Sequence, residues 1–184
     1  MASKFSIVFP VENFPRHEVE IAIQSFSTLY YNVSPKHRRR MELSLPGGES
    51  IRPLISSLSK DYGVESAVFI PQWYEEEDSY INSSLMLILA SGMTKKLALQ
   101  ALEYGLPILG YESYSLRNLV DISCGLLIPY KTREENIKAF AEILQQLYYD
   151  PEAQKILKQG AQKRPSVLRA LHQYKEADFM SKVA

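Results

Sequence analysis

The segment Leu85–Pro107, LMLILASGMTKKLALQALEYGLP, constrains this chain more than any other. Leu85–Ala90 is an unbroken apolar run too short for a buried helix, which predicts a strand covered on both faces. Ser91-Gly92 ends it. Beyond the turn, Leu97, Ala98, Ala101 and Leu102 recur at helical spacing, with Thr94 placed to cap the helix and Gly105 and Pro107 to stop it. A strand, a turn of small residues and a helix N-terminus make the crevice in which open α/β sheets hold phosphorylated ligands. A ligand of this chain is expected there.

The flanking sequence repeats the alternation. Lys4–Phe9 predicts a first strand, followed by the breakers of Pro10–Pro15 and a helix over Arg16–Tyr30 with Val19, Ile23 and Phe26 facing inward. Met41–Leu45 alternates apolar and polar, as a half-buried strand does, and Pro46-Gly47-Gly48 closes it. A helix through Leu54, Ile55 and Leu58 reaches Gly63, and Glu65–Ile70 predicts a third strand. After the central unit come strands at Pro107–Leu109 and Leu126–Ile128, separated by a helical turn around Leu116–Val120. Arg133–Tyr149 is amphipathic, with Ile137, Phe140, Ala141, Leu144 and Leu147 on one face, and two helical stretches, Glu152–Gln162 and Ser166–Met180, follow. The expectation is one α/β domain over residues 1–184, a doubly wound parallel sheet of about six strands in three α/β/α layers.

Charge excludes some function classes. Twenty-one Lys and Arg balance 21 Asp and Glu, so no global field favours nucleic acid, and membrane contact is expected to be peripheral at most. The one dense basic run, Lys36-His37-Arg38-Arg39-Arg40, suits either a local anionic lipid or phosphate-polymer contact or a solvated loop. Cys124, the single cysteine, reads as a small buried hydrophobe; with no charged-then-apolar leader before Phe5, a cytoplasmic location is expected. No apolar run is long enough for a membrane span, and the three histidines stand apart from clustered thiols or carboxylates, so no metal site is expected. The acids of Glu75–Asp78 read as complements to a helix dipole rather than as a catalytic pair.

Several strings resemble one family. Gln100–Ile108 (QALEYGLPI), Leu119-Val120, Gly125–Pro129 (GLLIP) and the long helix ending in Tyr149-Asp150-Pro151 follow in the order and spacing of the donor-nucleotide-binding C-terminal half of retaining GT-B glycosyltransferases of family 4 (group 1). Lys4–Phe9 is similar to that half's first strand, and Leu45-Pro46-Gly47-Gly48 to the end of its second. The resemblance implies a Rossmann-like fold, a UDP- or GDP-sugar donor, no separate cofactor, and nucleotide-sugar binding in glycan or polysaccharide biosynthesis. The acceptor-binding N-terminal half of the family has no counterpart in these residues. Such enzymes close two halves over the reacting sugar, so this chain alone is not expected to catalyse transfer. The missing half, or a partner subunit, would dock through the C-terminal helix, whose Val167, Leu168, Leu171, Tyr174 and Phe179 exceed the apolar needs of a terminal helix.

The residues also depart from the family. Glu12 and His17, with Arg16 adjacent, stand where members carry an arginine and a lysine aimed at the donor diphosphate. Gly92 and Gln100 stand where members carry two glutamates, near the sugar and on the ribose. An amide at Gln100 still accepts from a hydroxyl, whereas a carboxylate at Glu12 repels a diphosphate. Lys95, in the first turn of its helix, restores some positive charge or else, with Lys96, is a solvated flank. The resemblance puts the nucleotide base near Gln72 and Trp73, although Trp73 suits a packing anchor equally well. The candidate binding residues are Gly92, Met93, Thr94, Lys95, Gln100, Gln72, Trp73 and Arg16, and none is assigned a catalytic role. The departures also fit an alternative, a non-catalytic GT-B-like module that partners another glycosyltransferase or binds glycan or protein.

Overall fold

Six short segments align side by side: β1 (Phe5–Val8), β2 (Met41–Ser44), β3 (Val68–Phe69), β4 (Leu85–Ile88), β5 (Ile108–Tyr111) and β6 (Gly125–Ile128). In the computed structural model, which describes residues 4–11, 15–72, 83–89 and 94–183, they form one sheet in the order β3-β2-β1-β4-β5-β6. Every pairing is parallel, with Ile7 opposite both Leu43 and Leu85, and Leu87 opposite Leu109. The helices are α1 (Arg16–Asn32), α2 (Pro35–Arg38), α3 (Arg52–Asp61), α4 (Thr94–Glu103), α5 (Tyr114–Leu119), α6 (Arg133–Tyr149) and α7 (Pro151–Val183). One core lies under α1, α3 and α6, around Phe9, Phe26, Leu43 and Phe140. The other lies under α4 and α5, around Met86, Ile88, Ala98 and Leu116, and takes Ala161 from α7. This is the doubly wound, three-layer architecture that the alternation predicts.

The central strand is as enclosed as its unbroken apolar run requires: Leu87 is 1% and Leu89 0% exposed. β1 and β5 are enclosed to the same degree, because they too lie inside the sheet with helices on both faces. Ala90 lies outside the described residues. The expected alternation in β2 holds at Met41, Glu42 and Leu43 but fails at Ser44, which is buried with its hydroxyl unpaired. β2 sits between β1 and β3, and Ser44 is covered along with Met41 and Leu43 while Glu42 reaches solvent beside Lys4. β3 is shorter than Glu65–Ile70: only Val68 and Phe69 pair, as an edge strand has a neighbour on one side alone.

The faces predicted for α1 and α6 are the buried ones, and a reciprocal Thr132–Glu135 capping box opens α6. The C-terminal region differs from expectation. Instead of two stretches, α7 runs unbroken through Pro165, at the cost of the hydrogen bond its missing N–H would make and of crowding between its ring and the carbonyl one turn earlier. Two contacts tie α7 beside that point. Arg164 donates from Nε to the Leu119 carbonyl and pairs with Asp121. At Gly160 a Cβ would lie 1.8 Å from the Ser123 carbonyl oxygen, so only glycine lets α7 pass this close to the chain ahead of β6. The basic run is not a plain loop either: Ser34-Pro35 starts the single turn of α2, with proline at its first helical position. Cys124 is buried, and burial pushes its thiol pKa up. Among the described residues no helix is long and apolar enough to cross a membrane, and no three metal-ligating side chains come together.

Candidate functional site

The strand order reverses between β1 and β4, since β2 and β3 lie to one side of β1 and β4, β5 and β6 to the other. Chain leaving β1 and chain leaving β4 therefore part at the C-terminal edge of the sheet and leave a crevice between them. Beyond its strand, the first connection stays bound to its neighbour: Phe9 N–H donates to the Ser44 carbonyl at 2.8 Å and Val11 N–H to the Pro46 carbonyl at 2.9 Å. Gly47 turns the facing chain with φ of 76°, a left-handed conformation that favours glycine. The N-termini of α1 and α4 both lie at this edge, and each brings the positive end of a helix dipole.

The predicted residues fall as follows. Arg16 is the first residue of α1 and is exposed; its charge helps lower the pKa of Glu20, whose main partner is Arg133 at 2.8 Å. Thr94 opens α4, Lys95 follows it and is exposed, and Gln100 is half-buried further along the helix. Gln72 is exposed just past β3 and helps line a cavity of about 700 Å³ with Arg52, Ser59, Lys60 and Phe69. Gln72 therefore shares the C-terminal edge with α1 and α4 but stands on the edge-strand side, with β2 between β3 and β1. Gly92, Met93, Trp73, Glu12 and Glu75–Asp78 lie outside the described residues.

One group at this edge escaped the sequence reading. Glu18, in the first turn of α1, is 4% exposed, its Oε2 has no hydrogen-bond partner among the described residues, and burial raises its carboxyl pKa to about 7. Tyr111, the last residue of β5, is buried; burial raises its pKa, the nearby Tyr130 and Glu18 add to the shift, and the Asn136 side chain beside its hydroxyl opposes it. Its ring meets Tyr130 and Phe140 edge-on, each at 5.1 Å. Asn136 fixes the chain entering α6, accepting from the Lys131 N–H and donating to the Lys131 carbonyl, each at 3.0 Å. The edge thus holds a carboxyl that is neutral below about pH 7, with a phenol close enough to feel its charge. A sequence signal for this existed: Glu18, Ala22, Ser25 and Leu29 form one helical stripe, and the last three are small or apolar.

No family model matches the chain, and no curated protein matches it. Solved structures do. The pneumococcal O-GlcNAc transferase GtfA, solved with UDP and GlcNAc, superposes with a TM-score of 0.67 at 15% identity, over 95% of this chain and 36% of GtfA. WaaG, a glycosyltransferase involved in lipopolysaccharide biosynthesis, gives 0.69 at 19% identity, over 87% of this chain and 42% of WaaG. The C-terminal domain of the group 1 glycosyl transferase LpcC from Francisella tularensis gives 0.63 at 14% identity, over 91% of this chain and 87% of that domain. The chain spans less than half the length of GtfA or WaaG but nearly all of the isolated C-terminal domain. At these identities the likeness speaks for the fold: the chain is folded as the Rossmann-like C-terminal half of a GT-B glycosyltransferase.

Proposed function

We propose that the chain is the nucleotide-sugar-binding half of a cytoplasmic group 1 (family 4-like) glycosyltransferase of glycan or polysaccharide biosynthesis, holding a UDP- or GDP-sugar at the crevice between β1 and β4. The observation that carries this is the strand reversal with two helix N-termini opening on it, in a fold shared with a transferase solved with UDP. Backbone N–H groups at the start of α4 meet the diphosphate whatever the side chains are. In this reading Lys95 and Arg16 supply positive charge, Gln100 accepts from a ribose hydroxyl and Gln72 lies toward the base; Gly92, Met93 and Trp73, the other candidates, lie outside the described residues. The acceptor, and the groups that complete transfer, come from a second half docked along α7.

Binding by this half alone is weak. The charge-assisted contacts of an arginine and a lysine are absent, Glu12 adds repulsion, and half of the enclosing cleft belongs to the partner. Titration with UDP and with GDP, followed by NMR, tests this. The expected dissociation constant is on the order of millimolar, improving about tenfold in Glu12→Arg. Micromolar binding by the unmodified chain would refute the weakened site. Silence from both proteins would refute donor binding and favour the non-catalytic module.

A further inference from the structure

In a parallel α/β sheet the strands begin where the helices end, so the edge opposite the crevice gathers the starts of β1 and β2 and the last turns of α1 and α6. Here that edge is built of rings and cations. Phe5 meets Tyr148 edge-on at 5.5 Å, Tyr148 meets Tyr149 at 5.1 Å, and His37 lies 5.8 Å from the Tyr148 ring. Tyr30 and Tyr31 pack edge-on at 5.5 Å, with the Arg38 guanidinium 5.4 Å and 4.9 Å from their ring centres.

Arg38 is consumed by the fold. Its Nε donates to the carbonyls of Tyr30 at 2.8 Å and Val33 at 3.2 Å, and its Nη2 to that of Tyr31 at 3.2 Å, so it closes the C-terminus of α1. Lys36, Arg39 and Arg40 do none of this. All three are exposed and have no acidic partner among the described residues. Glu42 is held by Lys4, and Asp150 accepts from the Ala153 N–H at the start of α7. Two rings flank the run: Tyr149, beside His37, is 53% exposed, and Tyr31, under Arg38, is 52% exposed with its hydroxyl donating to the Gly63 carbonyl at 2.9 Å.

We propose that this face docks on an anionic phospholipid surface. Three unpaired cations spread over one exposed turn meet a plane of charge rather than an enclosed ligand, and tyrosines with an apolar body and a polar tip suit headgroup depth. Docking there leaves the opposite edge, with its crevice, open to solvent and to a second half. The inference does not depend on nucleotide binding.

Co-sedimentation of the full chain with vesicles tests it. Binding is expected to vesicles of phosphatidylcholine mixed with phosphatidylglycerol, not to phosphatidylcholine alone, and to be lost in molar salt, where the Debye length shrinks to about 3 Å. Replacing the three cations together (Lys36→Gln, Arg39→Gln, Arg40→Gln) should lower the partition coefficient about a hundredfold, at about fivefold per charge. The single Lys36→Gln, expected at about fivefold, keeps the test sound should the triple variant misfold. Equal binding to both vesicle types, no binding to either, or an unchanged triple variant would overturn the proposal. So would tighter binding of inorganic polyphosphate than of the anionic vesicles, which would assign the face to a soluble phosphate polymer.

Discussion

Glu18→Gln should abolish a pH dependence of stability that the fold itself creates. Glu18 has an ordinary carboxyl pKa of 4.5 when exposed, and burial raises it to about 7 in the fold, which corresponds to about 3 kcal/mol of preference for the protonated form. Two effects compete at this position. The dipole of α1 favours a negative charge in its first turn by about 0.3–1 kcal/mol, while burial without a partner for Oε2 opposes it and wins. Between pH 4.5 and about 7 the folded chain binds more protons than the unfolded one, so stability falls as pH rises. The contribution is complete below 4.5 and gone above about 7.

Glutamine keeps the shape and never ionises. Urea unfolding followed by circular dichroism at several pH values between 5 and 8 would measure the difference between the two proteins, from which every other titrating group drops out. Near pH 8 the variant should be more stable by about 1–2 kcal/mol, the ~3 kcal/mol ionisation penalty less a cost of about 1–2 for its unpaired amide. Near pH 5 it should be equal or slightly weaker. Parallel stability curves across this range, or a variant weaker than the parent at pH 8, would show that the carboxyl is solvated and the reasoning wrong.

The packing makes two further predictions. Gly160→Ala puts a Cβ 1.8 Å from the Ser123 carbonyl oxygen, so α7 must move; despite alanine's better helix propensity, stability should fall by about 1–3 kcal/mol, and a thermal midpoint at or above the parent's would refute the close approach. Phe140→Ala empties a fully buried site against the Tyr111 ring and should cost about 3–5 kcal/mol in urea unfolding, with loss of the near-ultraviolet tyrosine signal; a cost below about 1 kcal/mol would mean that the α6 face is not part of the core.

The fold was legible because its strong signals are local. The continuous run at Leu85–Ile88 and the stripes on α1 and α6 follow from period and composition, and those residues are the buried ones. The misreadings came from tertiary context. Ser44 is polar and buried because strand order puts β2 inside the sheet, and no local pattern reports strand order. Two helical stretches were expected after α6, but the Arg164 contacts and the close pass at Gly160 hold α7 against the domain just ahead of Pro165, and the helix continues. The site was legible as a place more than as a set of side chains. Strand, turn and helix fixed the crevice, and α1 and α4 do open on it, whereas Glu18 was hidden because a glutamate in a first helical turn ordinarily reads as a solvated dipole complement.

Topology also corrects what net charge suggests. A balance of 21 against 21 argued against any strong field, but a parallel α/β fold sorts charge by where helices start and end. The crevice edge collects positive helix ends, and Glu18, in the first turn of α1, is kept neutral by burial up to about pH 7. The far edge collects negative helix ends, and Arg38 neutralises the end of α1 through its own hydrogen bonds. Lys36, Arg39 and Arg40 then remain uncompensated on the far edge. A chain with no net charge thus carries positive character at both ends of its sheet, from helix dipoles at one edge and from side-chain cations at the other, and these are the two surfaces on which the proposals of donor binding and of membrane docking rest.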